Sequence, residues 1–130
     1  MNLLLDTCCL IWAISEPASL SDKARGLLTS LEAGTSVSVI SIAEIACAVE
    51  RNRISVDRPW KTWFRHYVGL NGWNVEVISQ EVIEEAYSLP GAFHANPADR
   101  IITATTRLNS STILTADRKI LDYPHVASAW

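Results

Sequence analysis

No apolar run in the sequence approaches the roughly 18–20 residues needed to cross a bilayer, so no membrane span is expected. The few apolar residues after Met1 are interrupted at Asp6, and no secretory leader is expected. Cysteine is scarce and odd in number: Cys8, Cys9 and Cys47. Two adjacent cysteines are a poor start for a disulfide, and no Cys-x-x-Cys or Cys/His spacing suggests zinc. A reducing cytoplasm is the expected compartment. His66, His94 and His125 are scattered, which suggests neither a histidine metal site nor an acid–base pair. Basic charge is not in excess: the net charge of −3 argues against a protein that coats nucleic acid. No glycine-rich loop follows the first apolar run, which excludes a dinucleotide-binding domain. Without repeats, low-complexity segments or linkers, residues 1–130 read as a single domain large enough to bury a core.

What the chain does have is acid beside apolar sequence. Asp6 closes Leu3-Leu4-Leu5, and Glu44 is embedded in Val39-Ile40-Ser41-Ile42-Ala43-Glu44-Ile45-Ala46. Asp99 lies between Asn96-Pro97-Ala98 and Ile101-Ile102, and Asp117 follows Ile113-Leu114-Thr115-Ala116. Carboxylates are rarely buried unless paired or bound to metal. Acids just past apolar strands therefore point to a shared site for a hard cation. A carboxylate cluster holding Mg²⁺ or Mn²⁺ suits the cutting of phosphodiesters.

Strand-like and helix-like segments alternate. Short apolar or β-branched runs at 3–5, 37–40, 75–78 and 112–114 read as strands, and 125–130 as a weak edge strand. Helices are expected after Asp6, after Ser21, from Ser41 to about Arg51, from Pro59, through Val82 and Ala86, from Asn96-Pro97, and over 117–121. The pattern indicates an α/β domain with a small parallel sheet flanked by helices. In such sheets ligands bind beyond the carboxyl ends of the strands, the rim where all four acids are expected.

Each acid also has a plainer reading. Asp6 and Asp117 are suitable N-caps. With Asn96 as N-cap and Pro97 next, Asp99 stands where an acid complements the helix dipole. Glu44 fits a solvated helix face. Four acids at one rim outweigh these separate accounts.

The stretches Leu3-Leu4-Leu5-Asp6-Thr7, Ser41-Ile42-Ala43-Glu44-Ile45, His94-Ala95-Asn96-Pro97-Ala98-Asp99-Arg100-Ile101-Ile102 and Leu114-Thr115-Ala116-Asp117 together resemble the PIN-domain ribonucleases. The resemblance covers essentially the whole chain and is greatest to the VapC toxins of type II toxin–antitoxin systems. It implies a PIN-like fold and a metal-dependent endoribonuclease acting on RNA. It also implies catalytic, metal-holding acids at Asp6, Glu44, Asp99 and Asp117, a Mg²⁺ or Mn²⁺ cofactor, a homodimer, and a cognate antitoxin. Asn96 departs from the Asp that many relatives carry before the proline. Asparagine caps a helix equally well, but the local negative potential is one charge weaker.

Among these acids, Asp6 and Asp99 are first choices as direct ligands, with Asp117 close behind, and Glu44 either ligates or orients the attacking water. Thr7 and Thr115 read equally as partners of a carboxylate or phosphate and as ordinary strand-end hydroxyls. For Arg100 an ion pair with a neighbouring acid is favoured over contact with RNA.

Trp60, Trp63, Phe64 and Tyr67 form one helical stripe, which reads as a packing face and offers a docking or dimer surface. Arg51, Arg53, Arg58, Lys61 and Arg65 form a basic stretch that could steer RNA. Cys8 and Cys9 read as core residues rather than nucleophiles. Two rival functions fit less well. A haloacid-dehalogenase-type phosphatase wants a second acid where this chain has Cys8. A catalytically weak PIN-like RNA- or protein-binding module is opposed by the presence of all four acids.

Overall fold

The computed structural model describes residues 1–130. Strand β1 (Asn2–Leu5) is followed by α1 (Thr7–Ser15), a short 3₁₀ turn, and α2 (Asp22–Thr29). Then come β2 (Gly34–Ser38), α3 (Ile40–Glu50), α4 (Trp60–Leu70), β3 (Asn74–Glu76) and α5 (Gln80–Ala86). The chain closes with α6 (Pro97–Leu108), β4 (Thr112–Leu114), α7 (Arg118–Leu121) and β5 (Ser128–Ala129). The strands form one parallel sheet of order β3-β2-β1-β4-β5. The expected α/β architecture is present, and the weak terminal strand forms one edge of the sheet.

The leucines of β1 explain its central place. Leu3, Leu4 and Leu5 are fully buried, as a strand covered on both faces requires. Side chains alternate across the sheet. Leu5 and Leu114 therefore join Leu10, Val37, Ile45, Trp63 and Phe64 in one core, while Leu4 and Ile113 join Ile102 and Ile120 on the other face. Each such aliphatic side chain contributes about 1.5–3 kcal/mol of hydrophobic stabilisation.

Helix starts follow local chemistry. The hydroxyl of Ser21 accepts from the backbone N–H of Ala24 at 3.0 Å, and that of Ser79 accepts from Val82 at 3.2 Å. Asn96 Oδ1 accepts from the N–H of Asp99 at 3.0 Å, with Pro97 at the first helical position.

Two expectations need correction. The α4 stripe is the packing face it reads as, with Trp63 only 1% exposed, Phe64 4%, and Trp60 and Tyr67 partly buried against the same core, so it is the docking role of Trp63 that falls. The basic stretch also divides. Arg58 pairs with Asp57 at 3.2 Å, Lys61 and Arg65 line a shallow depression with Thr62 and His66, and Arg51 and Arg53 face a different cleft.

Candidate active site

Chain direction across the sheet reverses between β1 and β4. From β1 the chain moves outward to β2 and β3, then returns to add β4 and β5 on the other side. A crevice opens beyond the carboxyl ends of strands at such a switch point. Here it is a cleft of about 840 Å³ whose lining includes Asp6, Glu44, Asp99 and Asp117. Four acids far apart in sequence thus share one cavity.

Asp6 follows β1 and caps α1: its Oδ1 accepts from the N–H of Cys9 at 2.8 Å. Its Oδ2 accepts from the hydroxyl of Thr115, directly beyond β4. The Thr115 hydroxyl oxygen in turn accepts from the N–H of Asp117 at 3.0 Å. Asp117 caps α7 through Oδ1, which accepts from Lys119 N–H at 2.9 Å. Glu44, early in α3, accepts from the Thr7 hydroxyl, which also lies 2.9 Å from that of Ser41. Both threonines therefore hold carboxylates. The cap reading of Asp6 and Asp117 and their place in the cleft hold together: one carboxylate ends a strand, begins a helix and faces the cavity.

Sequence reading missed His94. Its Nε2 lies 2.6 Å from Asp99 Oδ2, its ring stacks on Phe93 at 4.5 Å, and donor atoms of His94, Asp99 and Asp117 lie within 4.8 Å of one another. The available signal was its position five residues before Asp99, in a loop where no periodicity marks a side chain's direction. Asp6 and Glu44 share the cleft but stand outside this tight group.

Two more expectations change. Arg100 makes no ion pair: it donates to the carbonyls of Ala86 and Phe93, both at 3.0 Å, and ties the α5–α6 connection together. Cys9 is buried as expected, whereas Cys8, next along α1, is exposed and lines the cleft.

The electrostatics are those of unneutralised acid. Burial pushes the Asp6 carboxyl up, the Thr115 and Cys9 hydrogen bonds oppose this, and the charge of Asp99 adds to it. Burial also raises Glu44, against its Thr7 hydrogen bond and with the charges of Asp99 and Asp6. The Cys8 thiol is pushed up to about 11, first by partial burial of its sulfur and then by the fields of Asp6, Glu44, Asp99 and Asp117. No lysine or arginine lies within salt-bridge distance of any of the four acids. Carboxylates crowded together without a lysine or arginine partner make a donor set suited to a hard divalent cation.

The PIN domain family matches residues 3–126, and the chain belongs to that family. It is 30% identical over 127 residues to Ribonuclease VapC22 of Mycobacterium tuberculosis (strain ATCC 25618 / H37Rv), covering 95% of this chain and 93% of the relative. Among solved structures, the fold is similar to a chain of VapBC2 from Rickettsia felis bound to a DNA fragment from their promoter. That match has a TM-score of 0.70 and 16% identity, covering 100% of this chain and 99% of the other. A toxin–antitoxin complex from Klebsiella pneumoniae matches with a TM-score of 0.67 and 20% identity, covering 98% and 96%. FitAcB from Neisseria gonorrhoeae matches with a TM-score of 0.64 and 21% identity, covering 97% and 95%. The expected PIN-like fold is therefore the observed one.

Proposed function

We propose that the protein is a metal-dependent endoribonuclease toxin of a type II toxin–antitoxin pair, hydrolysing RNA phosphodiester bonds in the cytoplasm. The observation that carries this reading is the convergence of Asp6, Glu44, Asp99 and Asp117 on one cleft with no lysine or arginine within salt-bridge distance of them. The family and the relative named as a ribonuclease support the chemistry. The solved toxin–antitoxin complexes of the same fold support an antitoxin partner.

In this reading Asp6, Asp99 and Asp117 hold Mg²⁺ or Mn²⁺, with Glu44 as a further ligand or as the group that orients the attacking water. A bound divalent ion supplies acidity to water and offsets negative charge on the leaving oxygen. The chain's own residues prepare the acids for this. Thr115 and the N–H of Cys9 fix both oxygens of Asp6, Thr7 holds Glu44, and His94 fixes one oxygen of Asp99. Carboxylate oxygens carry spare lone pairs, so these hydrogen bonds orient the acids without using up their capacity as ligands.

A homodimer belongs to the same proposal. The exposed apolar residues Val75, Val77, Ile83 and Tyr87 fall in one strand–helix unit that begins at edge strand β3, and they supply the surface that Trp63 does not.

The deciding experiment incubates purified protein with RNA in Mg²⁺ or Mn²⁺. Cleavage should stop in EDTA and be lost in Asp6→Asn and Asp99→Asn; full cleavage in EDTA would overturn the mechanism. In cells, expression alone should arrest growth, and co-expression of the neighbouring small gene should relieve it.

A further inference from the structure

The acid cluster occupies only part of the cleft. On α3, Glu44, Cys47, Ala48 and Arg51 share the face that lines it, and Ile11 and Trp12 of α1 line it as well. Glu44 and Arg51 are two turns apart, about 10 Å along the helix axis. The cleft is therefore a groove that is acidic at one end, apolar along its walls and basic at the other.

The basic end is built by the way α3 stops. Arg51 caps the helix and Asn52 takes the left-handed conformation, with φ 56°. Asn52 N–H donates to Val49 O at 3.1 Å and Arg53 N–H to Ala48 O at 2.9 Å, the paired bonds of a Schellman turn. This reversal brings Arg53 back beside Arg51 on the cleft wall. Elsewhere Arg25, Arg58 and Arg107 pair with acids and Arg100 with carbonyls. Neither Arg51 nor Arg53 has a side-chain partner, and both are exposed.

We propose that Arg51 and Arg53 form a clamp for a phosphate of single-stranded RNA flanking the bond that is cut, with Trp12 as the platform for an adjoining base. The proposal rests on the ribonuclease reading above. Two unpaired guanidiniums match a phosphate in charge and geometry. An indole on an apolar wall matches an unpaired base, which a duplex does not expose. The distance from Glu44 to Arg51 then sets how many nucleotides separate the gripped phosphate from the scissile one.

The test uses the full-length protein, Mn²⁺ and a short single-stranded RNA that wild type cleaves. Arg51→Gln/Arg53→Gln should fold and melt as wild type does, because neither side chain holds another residue in place. It should keep kcat and raise KM about tenfold. The slope of log binding against log salt should fall by roughly 0.7 for each phosphate charge that is no longer neutralised. Arg51→Lys/Arg53→Lys should recover the salt slope. An abasic nucleotide beside the gripped phosphate should weaken wild-type binding and add little to the defect of Trp12→Leu. Unchanged KM and salt slope in the Gln variant, with wild type active, would remove the clamp alone. Loss of affinity for a co-expressed protein partner with RNA kinetics intact would assign the arginines to that partner instead. A wild type that neither binds nor cuts any RNA would overturn the ribonuclease reading and the clamp with it.

Discussion

The hydroxyl of Thr115 donates to Asp6 across 109 positions of sequence, joining the ends of β1 and β4 where the order of strand addition reverses. The same oxygen accepts from the N–H of Asp117, so one buried side chain aligns two of the four acids. Thr115→Val keeps shape and removes both bonds. A lost hydrogen bond to a charged group costs about 1.5–3 kcal/mol. Urea unfolding at neutral pH should show a loss of that size, with RNA cleavage falling at least as far as the stability loss implies. Thr115→Ser should retain most of both.

Metal and acid should compete at the cleft. The folded-state pKa values of Asp6 and Glu44 lie above their ordinary 3.8 and 4.5. For these two groups the folded chain holds protons more tightly than the unfolded one. Their contribution to stability is thus full below the unfolded values and is lost as pH rises through the folded ones. Metal-free protein should gain progressively less from these groups as pH rises. Bound Mn²⁺ reverses the balance, so the Mn²⁺-induced rise in Tm should grow as pH rises above the ordinary carboxylate values. A rise independent of pH would place the ion elsewhere.

Asp99 distinguishes a site from a helix cap. As a dipole partner alone, it should lose roughly 0.3–1 kcal/mol in Asp99→Asn, with or without metal. As one of several mutually repelling carboxylates, its neutralisation should leave metal-free stability unchanged or raised. Wild type should gain about 2.7 kcal/mol at a metal excess of about a hundredfold over Kd. Thermal melts should show most of that gain missing in Asp99→Asn; equal shifts would leave Asp99 a cap.

Trp63 and Val77 should part company under substitution. Trp63→Ala empties a core position and should cost about 3–5 kcal/mol. Val77 is 69% exposed, so Val77→Asp should fold with near-native stability. If the β3–α5 edge joins two copies, light scattering should show Val77→Asp as a monomer and wild type as a dimer. A dimer in both would move the interface elsewhere.

The sequence made the strands and acids legible for one physical reason. Leu3, Leu4 and Leu5 are buried on both faces, so hydrophobicity runs unbroken until the sheet ends, and the next residue is the acid at its rim. Asn96 and Ser21 announced their helices because a cap is a local bond between neighbours. Long-range partnership was less visible. The spacing of Trp63 and Phe64 defines a face of α4 but not what covers it. Cys8 and Cys9 are adjacent, yet a helix turns about 100° between them and sends one to the cleft and the other to the core. His94 and Arg100 act through a loop and through backbone carbonyls, neither of which leaves a periodic trace.

The order in which strands enter the sheet has a consequence during synthesis. β1 is made long before its neighbour β4, and Thr115 and Asp117 come later still. Until then Asp6 has no hydroxyl to hold it and the cleft lacks one wall. A chain truncated before residue 112 carries at most three of the four acids and no assembled centre. On the toxin reading proposed above, the topology itself delays activity until the last of the four acids has been made.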